Sequence, residues 1–110
     1  SVHQSMKFID THVHLWSAAK LPPWLIGDAS VAPIARDRSI PDYQSDAGAG
    51  LARCVYMEVD VSPEDREREA TEVILLCKDA SNPLCGAVIG APVVDGSVAD
   101  FTAWVQRWSA

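Results

Sequence analysis

Residues 51–89 read LARCVYMEVDVSPEDREREATEVILLCKDASNPLCGAVI, and the order of patterns in this stretch decides the fold. Leu51 to Val59 alternates as a strand does: Val55, Met57 and Val59 share one face, and Cys54, Tyr56 and Glu58 share the other. The aliphatic set is expected to meet helices, and the mixed set to look into a barrel interior. A helix follows. Ser62 suits its N-cap, Pro63 its first position, and Asp65 lies three residues after the cap, as in a capping box. Glu64, Asp65 and Glu67 crowd the positive end of the helix dipole. Ala70, Val73, Ile74 and Cys77 then recur at helical spacing and predict one buried stripe. Asn82-Pro83 stops the helix, and Leu84 to Ile89 is short and apolar, as a buried parallel strand is. Strand, helix, strand implies a right-handed crossover between parallel neighbours.

Upstream, Met6 to His14 (MKFIDTHVH) is moderately β-prone and free of Gly and Pro, and reads as the first strand. Ser17 to Gly50 then forms a long connection punctuated by Pro22, Pro23, Pro33 and Pro41 and closed by Gly48 and Gly50. A short helix is expected from about Pro41 to Ala47, opened by Ser39 to Pro41. Trp16 and Trp24 favour a packed loop over a loose one for the rest. Downstream, Gly90 to Gly96 is rich in turn residues. Val98 to Trp108 predicts a further helix with Phe101, Trp104, Val105 and Trp108 on one side.

The fold class is therefore α/β. An eight-stranded (β/α)₈ TIM barrel takes about 250 residues. The 110 residues here thus amount to its N-terminal portion, about three βα units with a long loop after strand 1. The last helix stops at Ala110 with no capping residue and no fourth strand, which reads as truncation. A complete domain of three parallel strands would leave its sheet edges exposed. A single partial domain over 1–110 is expected, with 1–5 a leader or disordered segment, and His3 within it takes no role.

Composition narrows the function. Hydrophobic residues make up 48% of the chain and charged residues 22%, with a net charge of −6 and no run of Lys or Arg. This is globular material, and its charge argues against nucleic acid or an anionic membrane as partner. The longest apolar stretches, at 73–77 and 87–89, fall far short of the roughly 20 residues a bilayer needs. Residues 1–7 lack the apolar core of a secretory signal. Cys54, Cys77 and Cys85 are odd in number with no C-x-x-C spacing, so buried reduced thiols and a cytoplasmic location are expected. A small-molecule substrate is the remaining class of partner; the sequence does not fix an oligomeric state.

Ile9-Asp10-Thr11-His12-Val13-His14 carries the chemistry. Residues two apart on a strand point to one face, so His12 and His14 project together and can bind one ion. Simple alternation puts Phe8 and Asp10 on that face too, and turns Ile9, Thr11 and Val13 toward helices. The pair falls at the C-terminal end of its strand, where the active sites of such barrels lie. Neutral imidazole is a good ligand for Zn²⁺ and related divalent ions. An H-x-H pair on a strand is also found as plain surface residues.

Glu58 lies near the end of the second strand as a candidate third ligand, a partner for a histidine N–H, a substrate contact, or a rim carboxylate paired with an Arg. Asp10 suits a supporting role behind the histidines, or the bonding of backbone N–H groups. Trp16 and Trp24 can wall a substrate pocket or anchor the loop. Arg36 and Arg38 can meet an anionic substrate group or serve solubility.

The run IDTHVHLW, followed by PPWL and by RDRSIPDYQSDAGAG ahead of the second strand, resembles the amidohydrolase superfamily. The likeness is greatest to the amidohydrolase-related (amidohydrolase 2) branch of L-fuconolactonase-like and 2-pyrone-4,6-dicarboxylate lactonase-like proteins. It covers most of the chain, though the helices after Ser62 match only in pattern. The resemblance implies a metal-dependent hydrolase on a distorted barrel, acting on a lactone or related carbonyl compound through metal-activated water. It assigns His12 and His14 as strand-one ligands of a divalent ion, zinc above all, although some lactonases of the branch work without metal. It implies further histidine ligands and a strand-eight aspartate base beyond Ala110, so the 110-residue chain alone is expected to be inactive. Non-oxidative decarboxylation by the same superfamily is the alternative chemistry. An inactive α/β fragment with structural histidines is the non-enzymatic one.

Overall fold

The structure is a computed structural model that describes residues 6–109; the leader expected over 1–5 lies outside them. Three strands form one parallel sheet in the order β1 (Phe8–Val13), β2 (Leu51–Met57), β3 (Leu84–Val88). Among the described residues three α-helices accompany them: α1 (Ile40–Ala47), α2 (Arg66–Lys78) and α3 (Val98–Trp108). Sequential parallel strands joined through helices agree with part of a TIM barrel.

The connection from β1 to α1 is ordered by three short 3₁₀ turns, at Ala18–Lys20, Pro23–Leu25 and Ala32–Ile34. Pro22 and Leu25 are buried under it. A two-way backbone bridge between Trp16 and Arg38, at 3.1 and 2.9 Å, closes the loop on itself. Ser39 and Asp42 then form a full capping box at the start of α1, and Ser97 and Asp100 do the same for α3.

The capping box expected at Ser62 does not form. Pro63–Asp65 winds as a 3₁₀ turn, so the Asp65 amide donates to the Ser62 carbonyl at 2.8 Å rather than to its hydroxyl. The α-helix starts at Arg66 with no side-chain cap. Its stripe is as expected: Ala70 and Val73 are buried, and Ile74 and Cys77 are half-buried.

The face of β2 that meets the helix is the reverse of the one its apolar alternation suggested. Cys54 and Tyr56, 0% and 2% exposed, join Val13, Val73 and Leu84 in the core between sheet and α2. Val55 and Met57 lie half-buried on the opposite side. Glu69 on α2 explains the reversal. Only 4% exposed, its Oε2 accepts the Tyr56 hydroxyl at 2.6 Å and the Val59 amide at 3.1 Å. A phenol with a carboxylate partner can lie under a helix without an unmet polar group. Burial and that bond raise the Tyr56 pKa above its ordinary 10.0.

The remaining face of the sheet is open. Of the three free thiols, Cys54 is buried and Cys77 half-buried, but Cys85, on edge strand β3, is exposed, contrary to the expectation of three buried thiols. Burial raises the Cys54 pKa to about 11. Among the described residues no helix is long and apolar enough to cross a membrane.

Candidate functional site

His12 and His14 leave β1 on the open face, on either side of buried Val13, and both are exposed. Their Nε2 atoms stand 3.1 Å apart, with ring centroids 4.8 Å apart and planes 84° from parallel. The Nδ1 of His14 lies 3.0 Å from the carbonyl oxygen of Met57 on β2. A carbonyl only accepts, so Nδ1 carries the proton and the lone pair of His14 sits on Nε2, facing His12. The strand thus presents two imidazoles edge to face, one with its tautomer set by the neighbouring strand. They open into a cleft of about 380 Å³ lined also by Leu15, Trp16, Ile34 and Arg38 and by Asp42, Tyr43 and Asp46 of α1.

The other sequence candidates separate. Asp10 does not share the face of the histidines. It pairs in register with buried Cys54, and its carboxylate turns toward α1, where Tyr43 donates to Oδ2 at 2.5 Å. The Oδ1 accepts the His12 amide at 3.0 Å. The Tyr43 hydroxyl, then the His12 amide, hold the Asp10 carboxyl below its ordinary 3.8. Burial, then the bond to Asp10, raises the Tyr43 phenol.

Trp16 lines the histidine cleft, and its Nε1 donates to the Ile34 carbonyl at 3.1 Å. Trp24 packs edge to face on Trp16 at 5.7 Å and donates from Nε1 to the Val59 carbonyl at 2.7 Å, outside that cleft. Arg38 lines the cleft, whereas Arg36 lies on an outer polar hollow. Glu58 lines a separate hollow beside Arg66 and Gly90, where its Oε2 accepts the Asp60 amide at 2.7 Å. A further cavity, about 320 Å³, lies between the long loop and α2 and does not include the histidines.

Two converging imidazole nitrogens fit two positions of a zinc or similar ion, whose nitrogen ligands sit about 2.0–2.1 Å from the metal. Among the described residues no group of three His, Cys, Asp or Glu side chains is placed to hold one. The chain is similar to an amidohydrolase. One solved structure that it matches is amidohydrolase 2 from Bifidobacterium longum subsp. infantis, at 27% identity and a TM-score of 0.61, over 77% of this chain and 32% of that protein. This chain therefore spans about a third of the amidohydrolase it matches. No family model and no curated protein matches it.

Two residues at the heart of the arrangement escaped sequence reasoning. Tyr43 looked like one more aromatic in a short helix, and only the 33-residue closure onto Asp10 gives it a task. Glu69 looked like one acid in the run Glu64 to Glu72. The available signal was its position one residue before Ala70, on the edge of the apolar stripe.

Proposed function

We propose that the chain is the N-terminal part of a cytoplasmic, metal-dependent hydrolase of the amidohydrolase superfamily, whose substrate is a lactone or related carbonyl compound. The observation that carries this reading is the convergence of His12 and His14 on the open sheet face at the C-terminal end of β1, 3.1 Å apart. When bound there, a divalent ion, zinc by preference, supplies Lewis acidity, polarising a carbonyl and making water acidic enough to act near neutral pH.

The chain's own residues supply placement. The Met57 carbonyl holds the His14 proton on Nδ1 and points Nε2 outward. Leu15, Trp16 and Ile34 give the cleft an apolar wall that keeps bulk water from one side of a bound ring. Arg38 on the same wall offers a positive charge to a developing or resident anion. Glu58, in its separate hollow, is assigned no place around the ion. Further ligands and the proton acceptor belong to the part of the protein outside this chain.

The test uses the full-length protein: bound metal by mass spectrometry, and turnover of a lactone panel, for wild type and a His12→Ala, His14→Ala double variant. The expected result is loss of bound metal and a drop in turnover beyond the about 10–100-fold that removing an outer partner of a ligand costs. Unchanged turnover in the double variant removes the histidines from the mechanism.

A further inference from the structure

We propose that the Tyr43–Asp10 hydrogen bond is a positioning lock, holding an irregularity in β1 that aims His12 and His14 onto the open face. This rests on the reading of that pair as a metal site. Along the ladder Asp10 partners Cys54 and Val13 partners Tyr56, so β1 spends three steps where β2 spends two. The extra residue is a bulge, a device that redirects side chains near sites. Plain alternation over three steps would put Asp10 and Val13 on opposite faces. Here both partner the buried face of β2, and the surplus is taken up at Thr11 and His12.

A bulge frees a ladder amide, and Asp10 supplies its acceptor: the His12 N–H donates to Oδ1 at 3.0 Å. Left alone, a half-exposed aspartate has several rotamers and holds such an amide only part of the time. The second oxygen prevents this. Tyr43 donates to Oδ2 at 2.5 Å from α1, and α1 is itself fixed by the Ser39–Asp42 box. The chain of contacts runs from helix cap to tyrosine, carboxylate and His12 amide. Tyr43 and Asp10 are positioning residues: Tyr43 lines the histidine cleft, but its hydroxyl is engaged by Asp10, whose carboxylate turns to Tyr43 and the His12 amide.

Tyr43→Phe in the full-length protein removes a single hydroxyl. Tyr56→Phe is the control: Tyr56 is the ladder partner of Val13, between the two histidines, yet its equally short phenol-to-carboxylate bond, at 2.6 Å, runs to Glu69 of α2 and not to Asp10. Zinc affinity is read by competition with a chromophoric chelator, and exchange of the His12 amide by NMR. Tyr43→Phe is expected to lower zinc affinity about 10–100-fold, as loss of a ligand's supporting contact does, and to speed His12 exchange tenfold or more. Tyr56→Phe is expected to leave both within twofold. Asp10→Asn, which keeps an oxygen for the His12 amide, is expected to retain most of the zinc affinity that Asp10→Ala loses. Equal effects of the two tyrosine variants, or a Tyr43→Phe protein within twofold of wild type in both readouts, would overturn the lock. Accelerated His12 exchange in a protein whose wild type binds no zinc would leave the lock standing and remove the metal reading.

Discussion

The Tyr56–Glu69 bond offers a measurable account of how β2 is held to α2. Tyr56→Phe leaves the ring in place and deprives a 4%-exposed carboxylate of one of its two partners. Hydrogen bonds to charged groups contribute about 1.5–3 kcal/mol, so a loss of about 2 kcal/mol at neutral pH is expected. The pH dependence has a definite sign. The phenol is raised above 10.0 in the folded protein, so above that pH the unfolded chain gives up its proton while the native state keeps it. Stability from this group is therefore complete below pH 10 and falls as pH rises beyond it, at a limiting slope of about 1.4 kcal/mol per pH unit. The gap between wild type and variant should thus vanish near pH 11.5, about one and a half units above the ordinary value. Urea unfolding of both proteins, followed by tryptophan fluorescence from pH 7 to 11, measures this gap directly. Other groups titrate in that range, but they are common to both proteins and cancel. A gap under about 0.5 kcal/mol at neutral pH, or one that does not narrow above pH 10, would refute the reasoning.

Two further substitutions probe the scaffold. Leu84→Ala, at a position 1% exposed in the core, should cost about 2–5 kcal/mol in the same unfolding assay; a loss below 1 kcal/mol would mean that β3 is loosely packed. Trp24→Phe keeps the contact with Trp16 but removes the 2.7 Å bond to the Val59 carbonyl. It should cost about 1 kcal/mol and raise protease sensitivity in the long loop, read by limited digestion.

The elements were largely legible because their signals are local. Val98–Trp108 was readable to the residue, and the stripe Ala70, Val73, Ile74, Cys77 faces the core as its spacing requires. The errors share one cause: a partner distant in sequence changed what a side chain could do. Cys54 and Tyr56 read as an interior set because the aliphatic residues alternating with them were expected to meet the helices, but Glu69 on α2 supplies the Tyr56 phenol with an acceptor. Alternation put Asp10 beside the histidines, but it assumes an unbroken ladder, and one surplus residue cancels it. Ser62 and Asp65 had the right spacing for a cap, yet the 3₁₀ turn after Pro63 gave the Asp65 amide to a carbonyl first. Of the site, the histidine pair was visible in six residues. Tyr43, the cleft wall and the isolation of Glu58 depended on closure of the long loop and on the turn after β2, which no short window encodes.

The tether between His14 and the Met57 carbonyl spans 43 residues. An imidazole aimed by its own strand would be ready as soon as that strand formed. This one waits until a distant part of the polypeptide has arrived in register, and contacts of such separation are among the late ones to form. Site assembly and strand docking are then a single event, so a probe of His14 ring orientation during refolding would report when the sheet closes.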